Sequence, residues 1–377
     1  MIERRTFLAQ LGATLASGLG AGTARAGAAP PVFISAAMPT SERDGAAVNA
    51  FDLDGRLLFS TRLPDRGHDA TARPNAAEIV VFARRPGNWA AIIDRRTGEV
   101  RRVVTSPPGR HFFGHGAYSP DGRLLYATEN DIASGQGVLG IYDASAGYVR
   151  VGEMPTHGLG PHDLGLLPAG TMLVANGGTR TQPETGREIL NPETMRPSLA
   201  VVDLKGGEPR HVVELGPELR GLSIRHLAIA PDGQAAFACQ WEGAPDEGPL
   251  LVGLFDPDGR ARFLEMPEDD LAALDNYVGS VALSGSERIV AATSPKGGTV
   301  AFWERASGRY LGRRKLPDVC GLAAAAPGLG ASELFVVTSG HGGTYLAGAG
   351  NRDLSRFGAQ VLGREAWDNH VLPLIPA

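Results

Sequence analysis

Cysteine is almost absent from this chain: two in 377 residues, Cys239 and Cys320, with no C-x-x-C spacing. That leaves no metal or redox signature built on sulfur, and both residues read as buried thiols. Basic runs are absent as well. The formal charge is −5, and it becomes −7 if residues 1–26, which carry three arginines and one glutamate, are removed. Weak acidity without a Lys/Arg cluster argues against nucleic acid or anionic lipid as a partner. The chain contains no G-x-S-x-G elbow, Walker loop, H-E-x-x-H or C-x-x-C-H motif, so the common hydrolase, nucleotide, zincin and haem grammars do not apply. After the N-terminus there is no long amphipathic helical window and no segment apolar enough to cross a bilayer.

What is abundant is turn chemistry. Fifty-one glycines and 27 prolines separate short apolar runs, the pattern of many strands joined by tight turns. Residues 1–26 stand apart as an address. Arg4-Arg5-Thr6-Phe7-Leu8 precedes a Gly/Ala-rich apolar stretch and an Ala24-Arg25-Ala26 cleavage site, which predicts twin-arginine export of a folded protein to the periplasm of a Gram-negative-like cell, with no membrane insertion after cleavage. Residues 27–377 then form one domain.

The segment Gly114-His115-Gly116-Ala117-Tyr118-Ser119-Pro120-Asp121-Gly122 reads as a strand entering a Pro-Asp-Gly turn. It recurs closely at Arg225-His226 through Gly233 and more loosely from His68 and His162. A recurrence of this length predicts a repeat architecture. The first blade fits a four-stranded β-propeller unit: inner strand A from His68, B at Glu78–Ala83, C at Trp89–Asp94 and D at Glu99–Val104. Further blades start at His115, His162, His226, Ser280 and Gly321. Val32–Ala36, Ala47–Asp52 and Arg56–Thr61 supply strands B, C and D without an A, whereas Asn369–Leu374 supplies an A without a B. Joining the two ends gives an all-β, seven-bladed propeller with no open edge. Six or eight blades also fit, because Thr344–Gly363 is weakly patterned.

In that register His68, His115, His162, His226 and His370 occupy one position in five blades, with Ser280 and Gly321 in the other two. Strand A lines the central channel, so five imidazoles would face a common axis, as candidate ligands for a transition metal. Hydrogen bonding between blades accounts for the same repeat. Adjacent strand residues face opposite ways, so His68-Asp69 and His162-Asp163 are not expected to act as dyads. The B–C loops should surround the same channel mouth and offer Arg84, Arg85, Asn130, Asn176, Arg180, Arg225, Gln240 and Trp241 as ligand-binding residues. Arg187, in the long loop after Asn176, belongs with the arginines as a clamp for an anion.

Phe82-Ala83-Arg84-Arg85-Pro86-Gly87, Gly160-Pro161-His162-Asp163, Met195-Arg196-Pro197-Ser198-Leu199, Ser223-Ile224-Arg225-His226-Leu227 and Trp367-Asp368-Asn369-His370, with the His115 segment, resemble the exported bacterial family DUF1513 over nearly all of the mature chain. The resemblance implies a twin-arginine-exported, propeller-like protein of unassigned activity, associated with periplasmic iron-uptake components such as imelysin-like proteins. It carries over no catalytic residues. The expected function is binding of a metal ion or metal complex, with iron or copper the expected cofactor. Two alternatives stand beside it: a channel-mouth enzyme, either a lactonase-type hydrolase or a metal-dependent oxidoreductase, and a protein-interaction scaffold.

Overall fold

The computed structural model describes residues 32–39, 45–326, 332–350, 353–358 and 362–374. The twin-arginine segment and its cleavage site lie outside these residues. Among the described residues, twenty-nine strands form seven antiparallel sheets. The split blade contains β1 (Val32–Pro39), β2 (Ala47–Asp52) and β3 (Leu57–Arg62). The next is β4 (Gly67–Ala72), β5 (Glu78–Ala83), β6 (Ala90–Asp94) and β7 (Val100–Val104), followed by β8 (Arg110–Tyr118), β9 (Leu124–Asp131), β10 (Gln136–Asp143) and β11 (Val149–Leu159). The third and fourth repeats are β12 (Pro161–Leu167), β13 (Thr171–Asn176), β14 (Ser198–Asp203), β15 (Pro209–Glu214), and β16 (Leu222–Ile229), β17 (Ala235–Trp241), β18 (Val252–Phe255), β19 (Ala261–Phe263). The last two are β20 (Ser280–Leu283), β21 (Ile289–Ser294), β22 (Thr299–Glu304), β23 (Tyr310–Lys315), and β24 (Val319–Ala324), β25 (Leu334–Ser339), β26 (Thr344–Gly348), β27 (Ser355–Phe357). The weakly patterned region therefore completes a sixth repeat, and the blade count is seven.

Burial explains the strand sequences. Middle strands are covered on both faces by neighbouring blades, so β5 (Glu-Ile-Val-Val-Phe-Ala) and β6 (Ala-Ala-Ile-Ile-Asp) are apolar almost throughout and nearly all buried. The outer strand β7 (Val-Arg-Arg-Val-Val) faces solvent. In the Pro-Asp-Gly turn, Gly122 has φ +71° and donates its N–H to the Ser119 carbonyl at 2.8 Å. A Cβ there would stand 2.5 Å from the Pro74 carbonyl of the preceding blade. Glycine is thus required by both the turn and the blade packing.

Two short strands close the ring. β28 (Glu365–Trp367) and β29 (Leu372–Leu374) both pair antiparallel with β1, through Ala37↔Trp367 and Ile34↔Leu372. The expected inner strand is interrupted where Asp368, Asn369 and His370 bulge away from the ladder. Ser35 holds the break by donating its hydroxyl to the His370 carbonyl at 2.6 Å, and the Asp368 N–H reaches the Ala36 carbonyl at 2.9 Å. Trp367 is fully buried with its ring 5.2 Å from Phe51 and its indole N–H 3.3 Å from the Leu362 carbonyl. Both cysteines are free and buried. No helix among the described residues is long and apolar enough to cross a membrane.

Trp367 joins the ends of the chain and fills the core between them, so Trp367→Ala should cost about 3–5 kcal/mol by the usual loss for a buried aromatic. Denaturant unfolding measures this, and a loss below about 1 kcal/mol would contradict the closure role.

Candidate metal centre

Four of the five histidines lie on innermost strands: His68 on β4, His115 on β8, His162 on β12 and His226 on β16. Each of these strands breaks register around its histidine: between Gly67 and Ala70, Phe112 and Gly116, Pro161 and Asp163, and Ile224 and His226. A β-bulge puts an extra residue on one strand and re-aims its side chains. His370 sits in the gap between β28 and β29, which does the same for the closing blade. His115 lies well inside β8, because that strand starts five residues earlier, at Arg110, than the histidine that marks the repeat.

The imidazoles form a closed circuit. Successive ring centroids are 4.9 Å apart for His68–His115, 4.8 Å for His115–His162, 4.9 Å for His162–His226, 4.8 Å for His226–His370 and 4.6 Å for His370–His68. Two triads, His68/His115/His162 and His115/His226/His370, each place one ligand atom per residue within 4.8 Å of the others, the spacing of a group that could hold a metal ion. His115 belongs to both. Its Nε2 is 3.2 Å from His68 Nε2. Nitrogens bound at roughly 2.0–2.1 Å around a tetrahedral ion stand about 3.3 Å apart, so this pair already has the spacing of one edge of such a site.

Carboxylates stand behind the circuit. His115 Nδ1 faces Asp69 at 3.2 Å and Asp163 at 3.3 Å. His68 Nδ1 is 3.5 Å from Asp368, which is itself gripped by Arg66 at 2.6 Å and Arg84 at 2.5 Å. Asp163 also accepts the Leu227 N–H at 2.8 Å, tying one inner strand to the next. The histidine–aspartate neighbours do not pair with each other. Instead, the bulges let both residues of each pair turn inward, and the aspartates serve His115 on the adjacent blade. Alternation along an ideal strand hid this arrangement. The visible signal was the repeated His-Asp pair at bulged strand starts, together with Asp368 two residues before His370.

Burial pushes His68, His162 and His226 well below the usual imidazole pKa, and His370 below it as well, each further lowered by neighbouring imidazoles. Burial would lower His115 too, but Asp163 and Asp69 outweigh it and raise the group to about 10. A charged His115 can therefore donate its Nε2–H to the neutral His68 Nε2, 3.2 Å away. The His68 Nδ1, His162 Nδ1, both nitrogens of His226 and His370 Nε2 are buried without a hydrogen-bond partner among the described residues. Unsatisfied buried imidazole nitrogens are costly unless they bind something.

Above the circuit opens a cleft of about 620 Å³, lined in part by Arg84, Arg85, Arg225, Gln240 and Trp241, as expected, and by Arg187 of the long loop. The remaining expected ligand residues are elsewhere. Asn176 is fully buried inside its blade, donating to the Thr156 carbonyl at 3.0 Å and to Ser198 at 3.2 Å. Asn130 faces a separate small hollow and donates to the Thr181 carbonyl at 3.4 Å. The Arg180 backbone is pinned to Asn191 at 2.6 Å, and its side chain lies along the Ala133–Gly135 turn. These three hold the long loop and its blade in shape, which their position between strands B and C could not distinguish from lining the cleft.

A family model described as "Protein of unknown function (DUF1513)" matches residues 61–374. Among solved structures, the chain is similar to Kuenenia stuttgartiensis hydrazine synthase, with a TM-score of 0.58 and 13% identity over 78% of this chain and 86% of that one. It is also similar to a chain of the mitotic checkpoint complex, with a TM-score of 0.53 and 12% identity over 82% of this chain and 84% of the other. At such identities the likeness is one of fold. No curated protein matches the sequence.

The His115 imidazolium stabilises the fold fully below its unfolded pKa near 6.5, and this contribution is lost as pH rises through about 10. In Asp69→Asn/Asp163→Asn only burial remains, so His115 should titrate below 6.5. Imidazole nitrogen NMR across pH 5–11 reads this, and an unshifted His115 would contradict the assignment.

Proposed function

This chain is a member of the DUF1513 family, matched over residues 61–374, and on the geometry of its axis we propose that it is a periplasmic binding protein for a transition-metal ion or metal complex. The observation that carries the reading is the closed circuit of imidazoles, buried but for the half-buried His370, in which His162, His226 and His370 keep ring nitrogens without a protein partner among the described residues. Imidazole ligands suit iron, copper, zinc or nickel, with the His115 proton released on binding, and iron or copper is the proposed cargo. The carboxylates complete the argument. A metal-bound histidine commonly donates its other N–H to a carboxylate, which fixes the tautomer and strengthens the ligand. His115 is set that way by Asp69 and Asp163, and Asp368 stands 3.5 Å from His68 Nδ1.

The periplasmic setting is supported by Arg4-Arg5 and Ala24-Arg25-Ala26, and the proposed role there is accessory to iron uptake. The scaffold and enzyme readings have less behind them. Asp69 and Asp163 are the axial carboxylates a hydrolase would use, yet neither lines the cleft where a substrate would enter.

Because the two triads share His115, and its Nδ1 is committed to carboxylates, binding should saturate at one metal per chain. In calorimetry and elemental analysis of the mature chain, His115→Gln should lose at least 100-fold in affinity for iron or copper, and Asp163→Asn about 10- to 100-fold. Negligible binding of iron, copper and zinc by the unaltered protein, or equal binding by it and His115→Gln, would overturn the proposal.

A further inference from the structure

The cleft has a charge that a site for a bare cation should not have. Six cationic side chains line it: Arg66, Arg84, Arg85, Arg187, Arg225 and Lys296. Asp368 accounts for Arg66 and Arg84, and Glu242 for Arg225 at 3.1 Å. Asp318 is the other acid on the wall, and it faces Cys320 and His341. Arg85, Arg187 and Lys296 have no carboxylate partner among the described residues. Arg85 is held instead by the Thr181 hydroxyl at 3.1 Å and the Phe113 ring at 4.1 Å, and Lys296 lies 4.9 Å over the Tyr277 ring. Burial and the neighbouring guanidinium groups of Arg225, Arg187 and Arg84 all work against the Arg85 charge. These groups repel a free divalent ion and attract an anion.

The cavity has two levels. The lower one, between the arginines and His68, His162 and His226, offers only about 20 Å³, close to the space of a single water probe. The upper one, at about 620 Å³, is the size of a small-molecule pocket and far larger than a hydrated ion requires. Guanidinium forks without a carboxylate partner match carboxylates in a two-point geometry.

Building on the metal-binding reading above, we propose that the protein takes its metal as an anionic polycarboxylate chelate, with Arg85, Arg187 and Lys296 holding the carboxylate arms in the upper cleft while the histidines reach the metal from below. A chelator bound this way does not compete with the protein for metal. It forms a ternary complex, because its free carboxylates meet the arginines while an exchangeable position on the metal meets imidazole.

The test is calorimetry of the mature chain with three probes: cupric ion alone, citrate alone, and cupric citrate. The unaltered protein should bind cupric citrate at least 10-fold more tightly than citrate alone. Arg85→Gln/Arg187→Gln should lose at least 10-fold toward both citrate probes, while affinity for cupric ion does not fall. Lys296→Gln, at the cleft wall away from the circuit, should show the same pattern to a smaller degree, and unchanged melting temperatures would show that both variants fold. Citrate that merely strips copper from the protein, or cupric citrate binding unaltered in the arginine variant, would overturn the inference. The outcomes separate the two readings: binding of cupric ion with no binding of citrate or cupric citrate sinks only the chelate, whereas citrate binding that never responds to copper or to His115→Gln sinks the metal centre and leaves an anion site.

Discussion

The constraint on which this molecule depends is the meeting of inner strands at one axis. A residue type repeated at the same place in successive blades has no separate environment, because every copy enters the same few ångströms. Here that residue is histidine, and the copies make a circuit with neighbouring rings under 5 Å apart. Two like charges at 5 Å repel by about 3 kcal/mol even at an effective dielectric near 20. The circuit therefore carries one positive charge comfortably and resists a second. Asp69 and Asp163 decide which member carries it, and the others remain neutral donors.

Around that axis the structure is polarised. Apolar middle strands and the Trp367 latch make a rigid ring, and the loops at one mouth gather arginine. Asp368 belongs to both parts. It is in the latch, its N–H bonded to Ala36, while its carboxylate orders Arg66, Arg84 and His68 at the floor of the cleft. A single buried carboxylate thus links blade closure, the His68 imidazole and the charge of the entrance, and His68 together with Arg84 and Arg66 holds its pKa far below the ordinary carboxylate range despite burial.

Much of this was legible in the residues alone, for identifiable reasons. Pro-Asp-Gly turns and the spacing of His68, His115, His162 and His226 report the repeat directly, because turn geometry and strand periodicity are local properties. The split blade was legible because β1, β2 and β3 lack an inner partner and Leu372–Leu374 lacks an outer one. What was not legible depends on bulges. An ideal strand would have turned Asp69 and Asp163 away from their histidine neighbours, and a one-residue irregularity brings them to His115 instead. The positions of Asn130, Asn176 and Arg180 were not legible for another reason: a polar residue at the end of strand B or in the loop after it satisfies a neighbouring backbone group as readily as a ligand, and only three-dimensional proximity separates the two.

The split blade has one more consequence. His370 comes from the gap between the last two strands, and the other four members of the circuit come from the interior of the chain. The circuit is therefore complete only after the first and last described strands have met, so a molecule still emerging from synthesis, or one clipped near its end, has a gap in its ring of imidazoles. An ion bridging His370 to His115 or His226 would act as a clasp across the seam, and possession of the full ligand set would certify that the ring had been finished.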